Sequence, residues 1–484
     1  MNHIDVYRTH IAISPYNEEN RNEHLEKSLS YYNKDYYRYE PIGYSYDEEN
    51  QRLLIPRSVS LSKLEGIFEC PANIIREHDD RDKVIIKLNC EPRDDKQREA
   101  IAFLLSKQKH DNLKNYSRRM LELDTGIGKT YCTIAAIAYM KEKGAIILHS
   151  KRLIEQWKEK IQEYTNLTDK ELFVVSGSAK VERVLAGKCK KIKIFLISHD
   201  TISAYAKKHS WNDISELFRC MRVGVKVFDE AHLQFANTVK IDLYTNTKDT
   251  FYLTATAKRS NHMEHQLYAR VFGPVPILSI KRQRDETYVN SCVLVYKSDP
   301  TLTELGLMKN THGMNVNKYI DYMIYGRARE KFLKCISTIL NTVVHRDGKV
   351  VLLVGRRKAA KDLKETVAEM FPEYSDDIGI FTSDIKGDDN RANELSKKII
   401  LSTFKSFGTG LDFNDELKAI IMCEPYSSTV TLDQCLGRLR HIEGEQLYYF
   451  ELVDAGVPQR LKQFDKIKKE LLKISSKVTT FKIP

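Results

Sequence analysis

Short apolar runs rich in Val, Ile and Leu alternate with longer segments of helical period between about residues 119 and 455. Continuous apolar runs of this length are typical of parallel strands that helices cover on both faces. The pattern predicts helices between the runs, for instance at 129–142 and 152–164, and strands at 119–123, 145–149, 193–198, 225–229, 250–254, 349–354, 378–381, 398–402 and 418–422. We therefore predict an α/β fold with two doubly wound parallel sheets in tandem.

The two ends of the chain have different patterns. Residues 1–90 are Tyr-rich and acidic, and they contain Leu53-Leu54-Ile55-Pro56-Arg57, a strand pattern that proline ends. Apolar residues recur at helical spacing among lysines after Val457-Pro458, which predicts one amphipathic basic helix. The break between the two sheets is expected within 275–330. The predicted domains are a small β-containing accessory domain, two α/β domains and a tail helix, at 1–90, 91–280, 281–455 and 456–484.

Charge and cysteine content narrow the class of protein only a little. Lys and Arg number 77 against 66 Asp and Glu, but residues 1–90 carry 12 basic against 16 acidic residues, so the excess lies in the rest of the chain. A nucleic-acid partner explains that excess, and so does a solvated lysine-rich surface. The nine cysteines form no CxxC pair, which argues against a zinc or iron–sulfur site and favours reduced thiols in the cytoplasm. No apolar run is long enough to span a membrane.

The segment Asp124-Thr125-Gly126-Ile127-Gly128-Lys129-Thr130 lies between a predicted strand and a predicted helix. Glycines at such a turn let backbone N–H groups surround a phosphate, and the helix N-terminus adds a positive field. Lysine in this position reaches the β- and γ-phosphates, and the next hydroxyl holds Mg²⁺. Position 123, where the full pattern has its first glycine, is Leu123. The predicted ATP-binding residues of this loop are Thr125, Gly126, Gly128, Lys129 and Thr130.

A second candidate site follows the predicted strand 225–229, where Asp229-Glu230-Ala231-His232 places two adjacent carboxylates at a strand end. Neighbouring strands of a parallel sheet direct their carboxyl ends to the same edge. Asp229 is therefore predicted to hold Mg²⁺ together with Thr130, and Glu230 to polarise the attacking water. A solvated acidic turn is the alternative when this motif occurs alone.

Three further motifs follow in order: Thr254-Ala255-Thr256, Thr403 to Asp412, and Gln434-Cys435-Leu436-Gly437-Arg438. With the two motifs above, the sequence resembles superfamily 2 helicases with the DExH signature over about residues 91–455. The resemblance implies two RecA-like domains with ATP bound in the cleft between them, and a requirement for Mg²⁺.

The resemblance also implies roles for individual residues. Gln97 matches a glutamine that reads adenine, and Arg438 matches an arginine that reaches the γ-phosphate. A second arginine is usual three positions later, where this chain has His441, and Arg440 is the candidate to replace it. Other positions match residues that sense the nucleotide from the second domain or couple the sites; these are Gly410, Asp412 and Gln434 for sensing, and His232, Thr254 and Thr256 for coupling.

Nucleic-acid contacts are implied at loops that follow strands in both domains. The matching positions, which would hold backbone phosphates, are Ser150, Arg152, Ser198, Thr201, Arg356 and Thr403. We interpret Trp157, downstream of the first of these loops, as core packing rather than a base-stacking platform. For the Tyr-rich stretch Tyr31 to Tyr46, packing against the motor is preferred over base stacking because the segment is acidic.

Within the superfamily, the sequence most resembles phage-encoded DNA helicases of the branch-migration type, and it is also similar to the poxviral transcript-release helicase. This implies a DNA helicase or translocase of recombination, repair or replication, working in the host cytoplasm if phage-encoded. Two alternatives remain open, an RNA helicase in transcript release and a nucleotide-gated nucleic-acid-binding protein without motor action. DNA is the preferred partner over RNA, no membrane is implied, and the sequence identifies no protein partner.

Overall fold

The protein was analysed as a computed structural model that divides into two compact units, Met1–Ile280 and Lys281–Pro484. The structure describes residues 2–33, 38–75, 83–106, 117–124, 126–231, 233–254, 262–281, 289–310, 313–385, 388–408, 416–426, 432, 435–439 and 445–483.

The N-terminal part of the first unit is a small sheet. Its helices are α1 (Glu23–Ser28) and α2 (Leu61–Phe68), and its strands are β1 (His3–Val6), β2 (His10–Ser14), β3 (Tyr31–Asn33), β4 (Arg38–Glu40), β5 (Ser45–Asp47), β6 (Arg52–Pro56) and β7 (Ala72–Ile74). Five strands form a sheet in the order β5-β6-β2-β1-β7, and β3 pairs with β4. The predicted strand before Pro56 is β6, so the expectation of a β-containing N-terminal region is confirmed.

A seven-stranded sheet forms the rest of the first unit. Its strands are β8 (Ser117–Leu123), β9 (Gly144–Leu148), β10 (Leu172–Val175), β11 (Ile194–Ser198), β12 (Val225–Phe228), β13 (Asp249–Thr254) and β14 (Ile277–Ile280). Its helices are α3 (Asp95–Leu105), α4 (Lys129–Met140), α5 (Lys151–Tyr164), α6 (Ser178–Leu185), α7 (His199–Lys208), α8 (Trp211–Met221), α9 (Phe235–Tyr244) and α10 (His262–Phe272). All strand pairs are parallel, in the order β10-β11-β9-β12-β13-β8-β14.

The core of this sheet lies on both of its faces. Ile147 and Phe195 belong to the apolar cluster on one face, whereas Ile146 and Leu196 belong to the cluster on the other. Successive side chains of a strand point to opposite faces, so a strand covered on both sides must be apolar throughout. This explains why the apolar runs in the sequence are continuous rather than alternating.

The second unit repeats this architecture. Its strands are β15 (Val289–Tyr296), β16 (Lys309–Asn310), β17 (Gly313–Met314), β18 (Lys349–Leu353), β19 (Ile378–Phe381), β20 (Ile399–Ser402), β21 (Leu417–Met422), β22 (Leu447–Asp454) and β23 (Lys477–Lys482). Its helices are α11 (Leu302–Leu307), α12 (Val316–Tyr325), α13 (Arg329–Val343), α14 (Arg357–Met370), a 3-10 helix (Pro372–Asp377), α15 (Asp388–Ser396), α16 (Phe404–Gly408) and α17 (Pro458–Ile474).

The two large sheets have the same strand order. The second sheet runs β19-β20-β18-β21-β22-β15-β23 and is also entirely parallel, while β16 and β17 form a separate pair. Numbered along the chain within each sheet, the order is 3-4-2-5-6-1-7 in both. The predicted α/β class with two tandem parallel sheets is confirmed.

One expectation about chain organisation was wrong. The segment after Val457 is not one helix, because α17 ends at Ile474 and is followed by β23, which pairs with β15. The β-branched and aromatic residues of Val478-Thr479-Thr480-Phe481 favour a strand, and the edge of β15 offers unpaired backbone groups. The chain passes from the first sheet to the second between β14 and β15, which is inside the range 275–330.

The N-terminal sheet packs against α9 of its own unit. Thr9 Oγ1 donates to the carbonyl oxygen of Thr245 at 2.6 Å, and Ser45 Oγ lies 2.9 Å from the hydroxyl of Tyr244. Tyr31 packs against the same apolar cluster as α9, whereas Tyr39 is exposed. Part of the Tyr-rich stretch therefore packs as expected, and its residues 34–37 lie outside the described residues.

Candidate functional site

The phosphate loop connects β8 to α4 and has the backbone that its glycines permit. Gly126 and Gly128 have φ values of 88° and 108°, in the left-handed region that favours glycine. A Cβ on Gly128 would lie only 2.5 Å from Gln97 Nε2, so a side chain there would displace the Gln97 carboxamide from its hydrogen bond to Ile127 O. Gly128 is the N-cap of α4, and no side chain caps this helix. Its first N–H groups and its positive dipole end form a suitable site for an anion.

Gln97 links this loop to the segment before α3 through the two ends of its carboxamide. Its Oε1 accepts a hydrogen bond from Arg93 N at 2.9 Å, and its Nε2 donates to the carbonyl oxygen of Ile127 at 2.9 Å. Asp94 caps α3 by accepting from Gln97 N, which fixes the start of the helix. Gln97 is buried and holds the loop backbone, while the contact with adenine stays a prediction.

Lys129 and Glu230, predicted from separate motifs, are brought together. Lys129 Nζ lies 3.1 Å from Glu230 Oε1, and the two side chains are only 13% and 22% exposed. Glu230 has a φ of 48°, an unfavourable conformation for a residue with a side chain, at the turn that follows β12. Backbone strain of this kind is often found at functional sites.

Asp229 lies beside this pair and is held by two donors. Its Oδ1 accepts from Glu230 N at 3.0 Å, and its Oδ2 accepts from the indole Nε1 of Trp157 at 2.8 Å. Burial, and after it the neighbouring Glu230, raise the pKa of the Asp229 carboxyl to about 6, although Lys129 and the hydrogen bond from Trp157 act to lower it. The ionised carboxylate is therefore short of positive charge, which a bound cation would supply.

This arrangement fits a magnesium ion held jointly with a nucleotide. The hydroxyl of Thr130 is in the first turn of α4, and the carboxylates of Asp229 and Glu230 follow β12. Among the described residues no group of three or more His, Cys, Asp or Glu side chains could hold a metal ion alone. Mg²⁺ is usually bound by one or two carboxylates, water and substrate phosphates, so a site with few protein ligands is expected.

The predicted nucleic-acid residues of the first unit lie after β9 and β11. Ser150 caps α5 by accepting from Leu153 N at 3.3 Å, and Ser198 caps α7 by accepting from Thr201 N at 3.0 Å. Ser198 and Thr201 line one surface concavity together with Lys151, next to Arg152. Four residues predicted from two motifs are thus placed at neighbouring strand ends of the sheet.

The second unit places its predicted residues at the equivalent strand ends. Arg356 is the N-cap residue of α14, after β18, and its guanidinium pairs with Asp321. Thr403 follows β20, and its Oγ1 accepts from Ser406 N at 3.3 Å, which caps the short helix α16. In both sheets the predicted contacts therefore follow the second and fourth strands, where a helix begins.

The remaining predicted residues are described only in part. Arg438 is partly buried, and its N–H donates to the carbonyl oxygen of Cys435 at 3.1 Å. Thr254 is the buried last residue of β13, beside the 3.0 Å bond from Ala231 N to Leu253 O that joins the two strand ends. The predicted positions outside the described residues are Thr125, His232, Thr256, Gly410, Asp412, Gln434, Arg440 and His441.

Trp157 contacts the candidate metal ligand Asp229, a contact that the sequence did not predict. It is 2% exposed, so it packs in the core as expected, and it also donates to Asp229. The two residues are 72 positions apart, and no local spacing in the sequence indicates that they meet.

No helix among the described residues has the length and apolar character required to cross a membrane.

Comparisons with known proteins identify similar helicases and translocases. The family model described as "Type III restriction enzyme, res subunit" matches residues 89–259, about a third of the chain. The chain is 24% identical to the transcript termination protein A18 of Yaba monkey tumor virus over 71% of this chain and 69% of the viral protein. It is also 24% identical to the DNA 3'-5' translocase XPB2 of Sulfurisphaera tokodaii, over 70% of this chain and 78% of that protein.

Solved structures support the fold. Dbp5 of S. cerevisiae, solved with RNA and ADP BeF3, has a TM-score of 0.50 and 14% identity, and the match covers 80% of this chain and 89% of Dbp5. Two tandem RecA-like sheets are therefore established as the architecture. The predicted recognition of a superfamily 2 helicase, similar to the poxviral protein, is confirmed, and so is the enzyme class, an ATP-dependent helicase or translocase.

Proposed function

We propose that this superfamily 2 helicase is an ATP-driven translocase that moves along DNA and unwinds or remodels duplex or branched DNA. The observation that carries the proposal is the 3.1 Å pair between Lys129 Nζ and Glu230 Oε1, beside the N-terminus of α4 that no side chain caps. A phosphate cradle, a cation and a carboxylate that can orient water are the parts that phosphoryl transfer to water needs.

Lys129 has two alternative partners in this proposal. In the nucleotide-free protein its ammonium group pairs with Glu230, and on binding of ATP it contacts the β- and γ-phosphates instead. The exchange leaves the Glu230 carboxylate close to the terminal phosphate and able to accept a hydrogen bond from the attacking water. Binding of the substrate thus prepares the group that activates the nucleophile.

Thr130 and Asp229 would hold Mg²⁺, which when bound neutralises charge on the phosphates. Arg438 is proposed to stabilise the charge that spreads onto the transferred phosphoryl group. Gln97, the loop residues Thr125 and Gly126, and the second-unit residues Gly410, Asp412, Gln434 and Arg440 remain proposed nucleotide contacts. His232, Thr254 and Thr256 are proposed to couple the hydrolysis of ATP to movement.

Nucleic acid would be held at the strand ends that carry the capping hydroxyls. Ser150 and Ser198 in the first unit and Thr403 in the second present short polar side chains at helix N-termini. Helix N-termini and hydroxyls bind backbone phosphates, and such contacts carry no sequence information. Two sets of phosphate contacts, one in each unit, would allow the units to hold the strand alternately.

The proposal that the substrate is DNA rather than RNA is supported by the name of a relative, so it needs a direct test. XPB2, which matches this chain over most of its length, is named as a DNA 3'-5' translocase. The match to A18, named as a transcript termination protein, favours a second candidate, an RNA helicase that acts in transcript release.

The test is ATP hydrolysis measured with single-stranded DNA, single-stranded RNA of equal length, forked DNA and four-way DNA. We expect stimulation to be greatest with DNA and to be abolished in Lys129→Ala, which removes the ammonium group but leaves the helix. Greater stimulation by RNA would favour the second candidate. Hydrolysis that persists in Lys129→Ala would contradict both.

A further inference from the structure

We propose that Trp157 is a positioning residue that orients the proposed magnesium ligand Asp229. Because Trp157 lies on α5, it also connects Asp229 to the proposed nucleic-acid contacts near the start of that helix. The inference rests on the proposed function, because it needs Asp229 to hold Mg²⁺. Trp157 itself would contact neither nucleotide nor metal.

The geometry of the Asp229 carboxylate supports this role. One oxygen accepts from Glu230 N at 3.0 Å and the other accepts from Trp157 Nε1 at 2.8 Å, so rotation of the carboxylate would break both bonds. Asp229 and Trp157 are 8% and 2% exposed, so water cannot readily replace the indole N–H. Each carboxylate oxygen has a second lone pair, which remains available for a metal or its bound water.

Packing alone does not account for tryptophan at this position. A phenylalanine would fill much of the same apolar space without a polar atom to satisfy. A buried indole N–H needs an acceptor, and the acceptor here is a carboxylate, which makes the stronger, charge-assisted kind of hydrogen bond. Groups that hydrogen-bond to metal ligands in this way fix the ligand orientation, and their loss typically weakens metal binding by about 10- to 100-fold.

The position of Trp157 on α5 connects two sites. Ser150 caps this helix, and Lys151 in its first turn lines the concavity that Ser198 and Thr201 also line. Trp157 lies about two turns further along the same helix. Since a helix moves as a rigid element, a displacement of its start on binding nucleic acid would be transmitted to the indole and so to Asp229.

Trp157→Phe tests the hydrogen bond, and Trp211→Phe is the matched control. The chain has two tryptophans, and Trp211 lies in the same unit, where its ring stacks on Tyr244 with centroids 5.4 Å apart. Binding of Mg²⁺ in the presence of ADP is measured by the rise in melting temperature. We expect Trp157→Phe to raise the half-saturating Mg²⁺ concentration by about 10- to 100-fold and Trp211→Phe to leave it unchanged. Equal values in the two variants would overturn the proposal.

A second measurement keeps Trp157 in place and does not depend on the folding of its variant. In Trp211→Phe protein the emission of Trp157 is the only tryptophan signal, and it should change when Mg²⁺ is added to the ADP complex. The change should be absent in the double variant Trp211→Phe, Asp229→Asn. Emission that does not respond to Mg²⁺ would also overturn the proposal.

The outcomes also separate this inference from the proposed function. Hydrolysis that persists in Lys129→Ala would refute the proposed function. Normal hydrolysis that requires Lys129, together with an unchanged Mg²⁺ requirement in Trp157→Phe, would refute only the role of Trp157.

Discussion

The two large sheets share a strand order but carry different groups at equivalent strand ends. Asp229 N donates to Ile147 O at 3.1 Å, and Cys423 N donates to Leu353 O at 3.0 Å, which places Asp229 and Cys423 at the same backbone position after the fifth strand. Glu230 and Glu424 are the next residues. One sheet thus ends its fifth strand in two carboxylates, and the other in a thiol and one carboxylate.

The surroundings of the two glutamates differ more than their positions. Glu230 faces Lys129, whereas Glu424 is 7% exposed and burial raises the pKa of its carboxyl from 4.5 to about 7. The segment after the first strand of the second sheet, Lys297-Ser298-Asp299-Pro300, contains no glycine. There Ser298 N and Gly456 N both donate to Asp454 Oδ1, at 2.9 and 2.8 Å.

The comparison shows which parts of the site follow from topology. The proposed nucleic-acid contacts follow the second and fourth strands in both sheets, so one architecture supplies two sets of them; their side chains cap the next helix at Ser150, Ser198 and Thr403 but not at Arg356. The phosphate loop and the paired carboxylates occur in the first sheet alone among the described strand ends. Binding of ATP therefore depends on particular side chains, not on the fold.

The largest expected effect concerns the proposed contribution of the second unit to hydrolysis. Arg438→Ala should lower the rate of ATP hydrolysis by about 10³-fold or more, because an arginine at the γ-phosphate is typically worth that much. ATP binding, measured by equilibrium titration, should change far less. The control is Arg357→Ala, which removes an exposed arginine paired with Asp384. Near-normal hydrolysis in Arg438→Ala would mean that the second unit contributes no such group.

The two glutamates provide the next test. Glu230→Gln should reduce ATP hydrolysis by about 10²- to 10⁴-fold, the usual contribution of a positioned general base, while ATP and DNA remain bound. Glu424→Gln, at the equivalent position, should leave hydrolysis within about twofold. Single-turnover hydrolysis measures both. Equal losses of ATP hydrolysis in the two variants would show that the two glutamates do not differ in function.

Glu424 should affect stability instead, with a defined dependence on pH. Its folded-state pKa is raised, so its contribution is fully favourable below about pH 4.5 and is lost as the pH rises through about 7. At pH 8 the folded protein must bury the charge, at a cost of about 3 kcal/mol from the size of the shift. Glu424→Gln should therefore stabilise the protein at pH 8 and change little at pH 4.

The measurement for Glu424 uses the position of the tryptophans. Trp157 and Trp211 both belong to the first unit. An unfolding transition that appears in circular dichroism but leaves tryptophan fluorescence unchanged therefore reports unfolding of the second unit. A stabilisation of equal size at pH 4 and pH 8 would exclude a buried charge as its cause.

The sequence predicted nine strands of the two large sheets and missed β10, β14, β15, β22 and β23, although β10 is apolar throughout. All nine predicted strands exist within two residues of their expected bounds. The run of β22 is interrupted by Glu451, which is fully buried because it pairs with Arg460 of α17. β23 has exposed lysines at both ends. Pairing of this kind over distance is not visible in a local pattern.

The same limit applies to the site. Lys129, Asp229 and Glu230 were predictable because each lies in a contiguous motif after a strand. The bond from Trp157 to Asp229 joins separate segments, and only the fold reveals it. The capping role of Ser198 and Thr403 was also unforeseen, although both residues were predicted to contact nucleic acid.

The smallest expected effects come from those capping residues. Ser198→Ala and Thr403→Ala should each lower the free energy of unfolding by about 1 kcal/mol, the usual value of an N-cap, and should weaken binding of single-stranded DNA by about two- to tenfold. Ser210→Ala is the matched control, since Ser210 caps α8 in a capping box but follows no strand of the sheet. Ser210→Ala should lower the free energy of unfolding by a similar amount. It should leave the affinity for single-stranded DNA, measured by fluorescence anisotropy, unchanged. If all three variants bind DNA equally well, these hydroxyls cap helices and nothing more, and the equivalence of the two sheets does not extend to nucleic-acid binding.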